Sequence, residues 1–139
     1  MVNKNINHAF RLLPGVDLRL SIEDFVKENN IEAGWVACCI GSLTTYSIRF
    51  ANQPEAENGN GYFEILNCSG TVSIHGSHLH LCVADNKGKT IGGHLMFGCR
   101  IYTTAEIIIV ESADYIFSRV HDTQTLFKEL HVEEKVSDK

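Results

Sequence analysis

Three of the chain's seven histidines fall in one short stretch, His78-Leu79-His80 followed by Gly92-Gly93-His94. On a β-strand successive side chains alternate faces, so His78 and His80 point one way and Leu79 and Leu81 the other. The intervening Asp85-Asn86-Lys87-Gly88-Lys89 carries turn chemistry. A three-residue Asn86-Lys87-Gly88 loop pairs residues whose numbers add to 174 and sets His80 opposite His94, with Cβ atoms about 5 Å apart. A two-residue loop would instead set His94 against Leu79 or Leu81. In the first register three neutral imidazoles converge, each able to reach a metal at roughly 2.0–2.1 Å and together leaving a position for water or a substrate oxygen. His78, His80 and His94 are therefore the candidate ligands of a divalent metal; imidazole favours zinc and leaves nickel, copper or iron open. The competing reading is that these histidines hydrogen-bond within the sheet. Gly92-Gly93 would permit a close backbone approach or a bulge that aims His94.

Other titratable residues offer less. His75 has the wrong parity unless Gly76-Ser77 breaks the strand, and His8, His121 and His131 have no partner at ligand spacing. Cys82 shares the parity of His78 and His80 but reads more simply as a small apolar residue. Glu64 and Glu106 sit in apolar strand-like runs, where a carboxylate supports a metal ligand, acts as a general base or simply faces outward. No hydrolase elbow or phosphate-binding glycine loop occurs.

The elements that must carry these residues are mostly strands. His8–Leu13 reads as a short strand ended by Pro14-Gly15, and a helix is expected from about Leu18 to Asn29, with Ser21 and Asp24 forming a capping box. Gly34–Ile40 is apolar on both alternating faces, as in a strand covered on both sides, and Gly41-Ser42 ends it. Strand-like runs follow at Tyr46–Ala51, Tyr62–Asn67, Gly70–His75, His78–Asp85, Thr90–Phe97, Thr103–Glu111 and Tyr115–Val120, with Asn52–Gly61 a solvated loop. Asp122 would cap a second helix carrying Leu126, Phe127 and Leu130, and residues 132–139 form a charged, disordered tail. The expected fold is α+β: a mostly antiparallel sheet or barrel of about seven strands with two flanking helices, in one domain over residues 1–131.

At 139 residues and 44% hydrophobic, the chain has enough apolar content for one buried core. Its 12 Lys and Arg against 17 Asp and Glu leave a net charge of −5, so any contact with nucleic acid must come from a local patch such as Arg49, Lys87, Lys89, Arg100 and Arg119. No run reaches the roughly 18 apolar residues of a membrane span, and the N-terminal segment lacks the apolar core of a signal peptide. Five cysteines, Cys38, Cys39, Cys68, Cys82 and Cys99, with no CxxC pair, suit free thiols in a reducing compartment. A cytoplasmic location is expected.

The order of motifs is more specific than any one of them. Arg11-Leu12-Leu13-Pro14-Gly15-Val16-Asp17-Leu18, Gly41-Ser42-Leu43, Gly61-Tyr62-Phe63-Glu64-Ile65-Leu66, Gly70-Thr71, His78-Leu79-His80, Gly92-Gly93-His94-Leu95 and Thr104-Ala105-Glu106-Ile107 follow one another. With Phe117-Ser118-Arg119 and Phe127–Leu130, the series resembles the PPC domain, the plants-and-prokaryotes-conserved domain, over about residues 5–131. The resemblance implies an α+β domain that assembles as a homotrimer, with metal at histidines matching His78, His80 and His94 in some prokaryotic members. In plant members the domain follows AT-hook DNA-binding motifs. This sequence contains no Arg-Gly-Arg-Pro core, the element suited to insertion into an A·T minor groove.

Three functions follow as expectations: a trimeric metal-binding module that is structural or takes a small ligand, a DNA-binding or transcription-associated protein, and a metal-dependent enzyme acting on a small metabolite. A trimer would carry −15, three times the charge of one chain, which opposes the second. For the third, a three-histidine metal can bring bound water to a pKa of about 7, but no general base is identifiable.

Overall fold

Leu18, Ile22 and Val26 recur every fourth residue and are at most 1% exposed. They form the buried stripe of the helix Leu18–Glu28, named α1. The computed structural model describes residues 5–136. Asp17 caps α1 by accepting from the Leu20 amide at 2.9 Å, so the expected Ser21 cap lies one turn inside the helix. Asn30 at φ 51° ends it, with the Ile31 amide on Val26 O and the Asn30 amide on Lys27 O, a Schellman closure that buries Ile31.

Among the described residues the strands are β1 (Ile6–Leu12), β2 (Gly34–Arg49), β3 (Glu57–Val72), β4 (His78–Ala84), β5 (Thr90–Leu95), β6 (Ile101–Glu111), β7 (Tyr115–His121) and β8 (Lys128–Glu134). The first six make one antiparallel sheet in the order β1-β6-β2-β3-β4-β5, and β7 and β8 form a separate ribbon. The sheet curls until β5 meets the end of β2 at Ile48↔Leu95 and Arg49↔His94, without becoming a closed barrel. β2 and β3 are longer than their sequence suggested. Gly41-Ser42 does not end β2, which runs on through register shifts, and Glu57–Gly61 of the expected loop belong to β3. Glycine and serine mark irregularities in a continuous strand here, because neighbours on both sides hold it.

The second expected helix is absent among the described residues. Asp122 makes the hydrogen bonds of a cap, accepting from the Gln124 and Thr125 amides at 2.7 and 3.0 Å. Leu126, at φ 65°, then turns the chain back into β8, which pairs with β7 from His121↔Lys128 to Tyr115↔Glu134. Cap chemistry serves equally well in a turn, and the alternation of Leu130 and Val132 was the contrary signal. Val132–Glu134, expected to be frayed, complete β8, and Lys135 pairs with Glu32; residues 137–139 lie outside the described residues.

The core lies between α1 and the inner face of the sheet, where Val36, Cys39, Leu43, Ile65, Leu81, Ile107 and Ile109 gather. Truncating a fully buried side chain removes its transfer energy and leaves a cavity. Ile22→Ala should therefore cost about 2–5 kcal/mol, read as a lower urea midpoint at unchanged m-value. The opposite face of β2, β3 and β6 is not covered by the described residues. Ile40 is 49% exposed, Leu66 52% and Tyr102 44%, and Trp35, Tyr62 and Ile108 lie open beside them. The expectation that Gly34–Ile40 is covered on both sides thus holds for one side of the single chain.

Candidate metal centre

The β4–β5 hairpin has the expected register. Asp85 and Lys89 close it, with the Asp85 amide on Lys89 O at 2.9 Å, and Gly88 supplies the left-handed residue at φ 78°. The Asp85 carboxylate accepts from the Lys87 and Lys89 amides, which holds its pKa below the ordinary value. From this turn the pairs run Ala84↔Thr90 to His80↔His94. No bulge interrupts them. Gly93 is instead the point of close approach: a Cβ there would lie 2.6 Å from Arg49 O, so only glycine lets β5 pass against β2 beside His94.

His78, His80 and His94 meet on the outward face of this hairpin, with one ligand nitrogen from each within 4.8 Å of the others. The Nε2 atoms of His78 and His80 are 3.2 Å apart; the His80 ring stands edge-on to both neighbours and the His78 and His94 rings stack. Leu79 and Leu81 point into the core and fix the opposite face. Desolvation first, then the charges of His80, Arg119 and Arg49, lower the pKa of His78 against an opposing effect of Glu129. Desolvation and then Arg49 lower that of His94. Both shifts favour the neutral imidazole, the form that binds metal.

Unfolding returns His78 and His94 to the ordinary value of 6.5, so below it the unfolded chain binds more protons than the folded one. Metal-free protein should lose stability as pH falls from 6.5 through the lowered folded values, and keep this contribution above 6.5. Thermal melts in chelator at pH 5 and 7.5 should show a smaller difference for His78→Gln than for the unsubstituted chain.

Two clefts flank the triad. One of about 280 Å³ is bordered by Ser69, Thr71, His78, His80, Arg119 and Glu129. A wider one of about 760 Å³ opens on His78 and His94 and is bordered by Arg19, Arg49, Arg119 and Glu129. The β7–β8 ribbon supplies Arg119 and Glu129, tied to the body by Arg119 Nη2 donating to Thr71 Oγ1 at 2.7 Å and Ser73 Oγ donating to Phe117 O at 2.8 Å.

The remaining candidates are dispersed. His75 lines the wide cleft but is outside the ligand cluster. His8 contacts Glu111 Oε2 at 2.7 Å between β1 and β6, His131 lies beside Glu133, and His121 sits at the end of β7. Cys82 is half-buried opposite Gly92, and Glu64 and Glu106 are exposed on β3 and β6 away from both clefts. Of the cations considered for a nucleic-acid patch, Arg49 and Arg119 reach the wide cleft. Arg100 instead donates to Gly15 O, and Lys87 and Lys89 stand at the hairpin tip. Arg19 and Glu129 escaped sequence reasoning because long-range packing alone brings them here.

The fold and the outward-facing triad define a class: a curled antiparallel sheet with three imidazoles on one hairpin. Residues 2–113 match the Plants and Prokaryotes Conserved (PCC) domain, and the chain belongs to that family. It is 46% identical over 126 residues to the bifunctional protein GlmU of Synechococcus sp. (strain JA-3-3Ab), a match covering 91% of this chain and 20% of that protein. The chain thus spans about a fifth of the length of that curated relative. Among solved structures, a hypothetical protein from Salmonella cholerae-suis is 37% identical with a TM-score of 0.94, covering 98% of this chain and 99% of its own. A metal-containing protein from Archaeoglobus fulgidus is 25% identical with a TM-score of 0.77, covering 94% and 99%.

Proposed function

We propose that the chain is a metal-binding module in which His78, His80 and His94 hold one divalent ion, zinc by preference, within a homotrimer. The observation that carries this reading is the convergence of three ligand nitrogens within 4.8 Å on one face of one hairpin. The donor set fits: three imidazoles, two of them with lowered pKa, and a cleft bordered by His78 and His94. The Archaeoglobus fulgidus protein of like fold is described as metal-containing, which supports the same reading here. A bound ion would supply Lewis acidity toward a small ligand in the cleft.

Assembly is supported by the uncovered face of β2, β3 and β6. Six large apolar side chains stand open there, more than scattered surface residues account for. The DNA-binding reading has a net charge of −5 against it, and only Arg49 and Arg119 of its five candidate cations share a cleft.

Elemental mass spectrometry on untagged protein tests the metal reading. About one metal per chain is expected, and protein that stays metal-free after incubation with zinc would sink it. A duplex titration at low salt should give no shift.

A further inference from the structure

Arg49 and Arg119 each stand next to a triad histidine. Arg49 is the cross-strand partner of His94, so the two side chains leave the sheet on the same face. Arg119 is held to Thr71, which is itself the cross-strand partner of His78. Both arginines border the wide cleft.

Neither has a carboxylate within 4.0 Å among the described residues, whereas Arg19 in the same cleft is matched by Glu23 at 3.0 Å and lies over the Phe97 ring. Of five N–H donors, Arg49 commits one to Gln53 O at 3.2 Å and Arg119 one to Thr71. Lys128 also borders the cleft, and Glu129, whose carboxylate accepts from Thr125, is the single unmatched acid there. Cations therefore outnumber acids in this cleft although the whole chain is acidic. Its volume of about 760 Å³ falls in the range of small-molecule sites and is far larger than one inorganic ion requires.

We infer that the wide cleft binds a small oxyanion-bearing metabolite, its carboxylate or phosphate held by Arg49 and Arg119 and the rest of the molecule directed toward His78 and His94. Guanidinium forks suit both anions, because paired N–H donors match paired oxygens. The inference rests on the metal reading only for what the far end of the ligand meets; the clamp itself is built from arginines. It gives the candidate centre a ligand class.

Isothermal titration calorimetry on the full chain, zinc-loaded and chelator-stripped, tests this with malonate, inorganic phosphate and neutral glycerol as probes. Malonate or phosphate should bind with a Kd below about 1 mM and glycerol should not; the better of the two anions identifies the headgroup. Arg49→Gln and Arg119→Gln should each weaken binding by about tenfold or more, Arg49→Lys by less, and Lys87→Gln at the hairpin tip not at all. Should Arg119→Gln fail to fold because its tie to Thr71 is lost, Arg49→Gln still decides. Anion binding no stronger than glycerol, or equal in the arginine variants, overturns the proposal. A chain that takes up no zinc yet binds malonate or phosphate through Arg49 overturns the metal reading and leaves the clamp standing.

Discussion

His80→Ala should bring metal content from about one ion per chain to near zero while leaving the fold intact. His80 sits between the other two ligands, 3.2 Å from His78 at Nε2 and edge-on to the His94 ring, so its loss leaves two stacked imidazoles with no third donor. Replacing a residue that merely orients a ligand costs 10–100-fold in affinity, so removing a ligand should exceed about 100-fold. The side chain is exposed and packs no core, so metal-free variant and unsubstituted chain should melt within about 0.5 kcal/mol of each other. Elemental analysis and a thermal melt of the stripped proteins check both halves. Retained metal in the variant would move the centre elsewhere.

Ile40→Glu should convert the proposed trimer to monomers. Ile40 lies at the centre of β2 on the uncovered face, and its cross-strand partner is Glu106. A carboxylate there would be desolvated at an interface and set opposite a like charge, a combination that costs several kcal/mol per copy. The core behind it is untouched, because the flanking Cys39 points inward and Ile40 does not. Light scattering should give a molar mass near that of three chains for the unsubstituted protein and near one for the variant. An unchanged mass would place the interface on another face.

Local and short-range features were the most legible. Loop length fixes which histidine opposes which, and of the two lengths the turn residues allowed, the three-residue Asn86-Lys87-Gly88 loop is the one present. The helix expected over about Leu18–Asn29 agrees with α1 for the same local reason, although Asp17 and not Ser21 caps it. Asp122 misled because a side-chain oxygen taking two amides starts a helix or a turn with the same contacts, and only the pairing of β8 with β7 decides. The wide cleft was not legible at all. Arg49 reaches His94 only because β5 returns to the end of β2, and Arg119 reaches His78 only through Thr71, contacts that no spacing in the sequence encodes. Gly34–Ile40 was expected to be covered on both sides, and the described residues cover it on one, because alternation marks which faces are apolar and not what lies against them.

All three histidines belong to a single β-hairpin whose strands are already hydrogen-bonded to each other and whose far face is pinned by Leu79 and Leu81. An ion arriving there would fasten nothing that is loose: the loop it closes is short and its ordering entropy has been met by the sheet. Folding and metalation are then separable events, unlike in domains that collapse only around their ion. Such a site would rank divalent ions in the order that imidazole donors dictate, so the occupant recovered from a preparation would depend on the growth medium as well as on the protein.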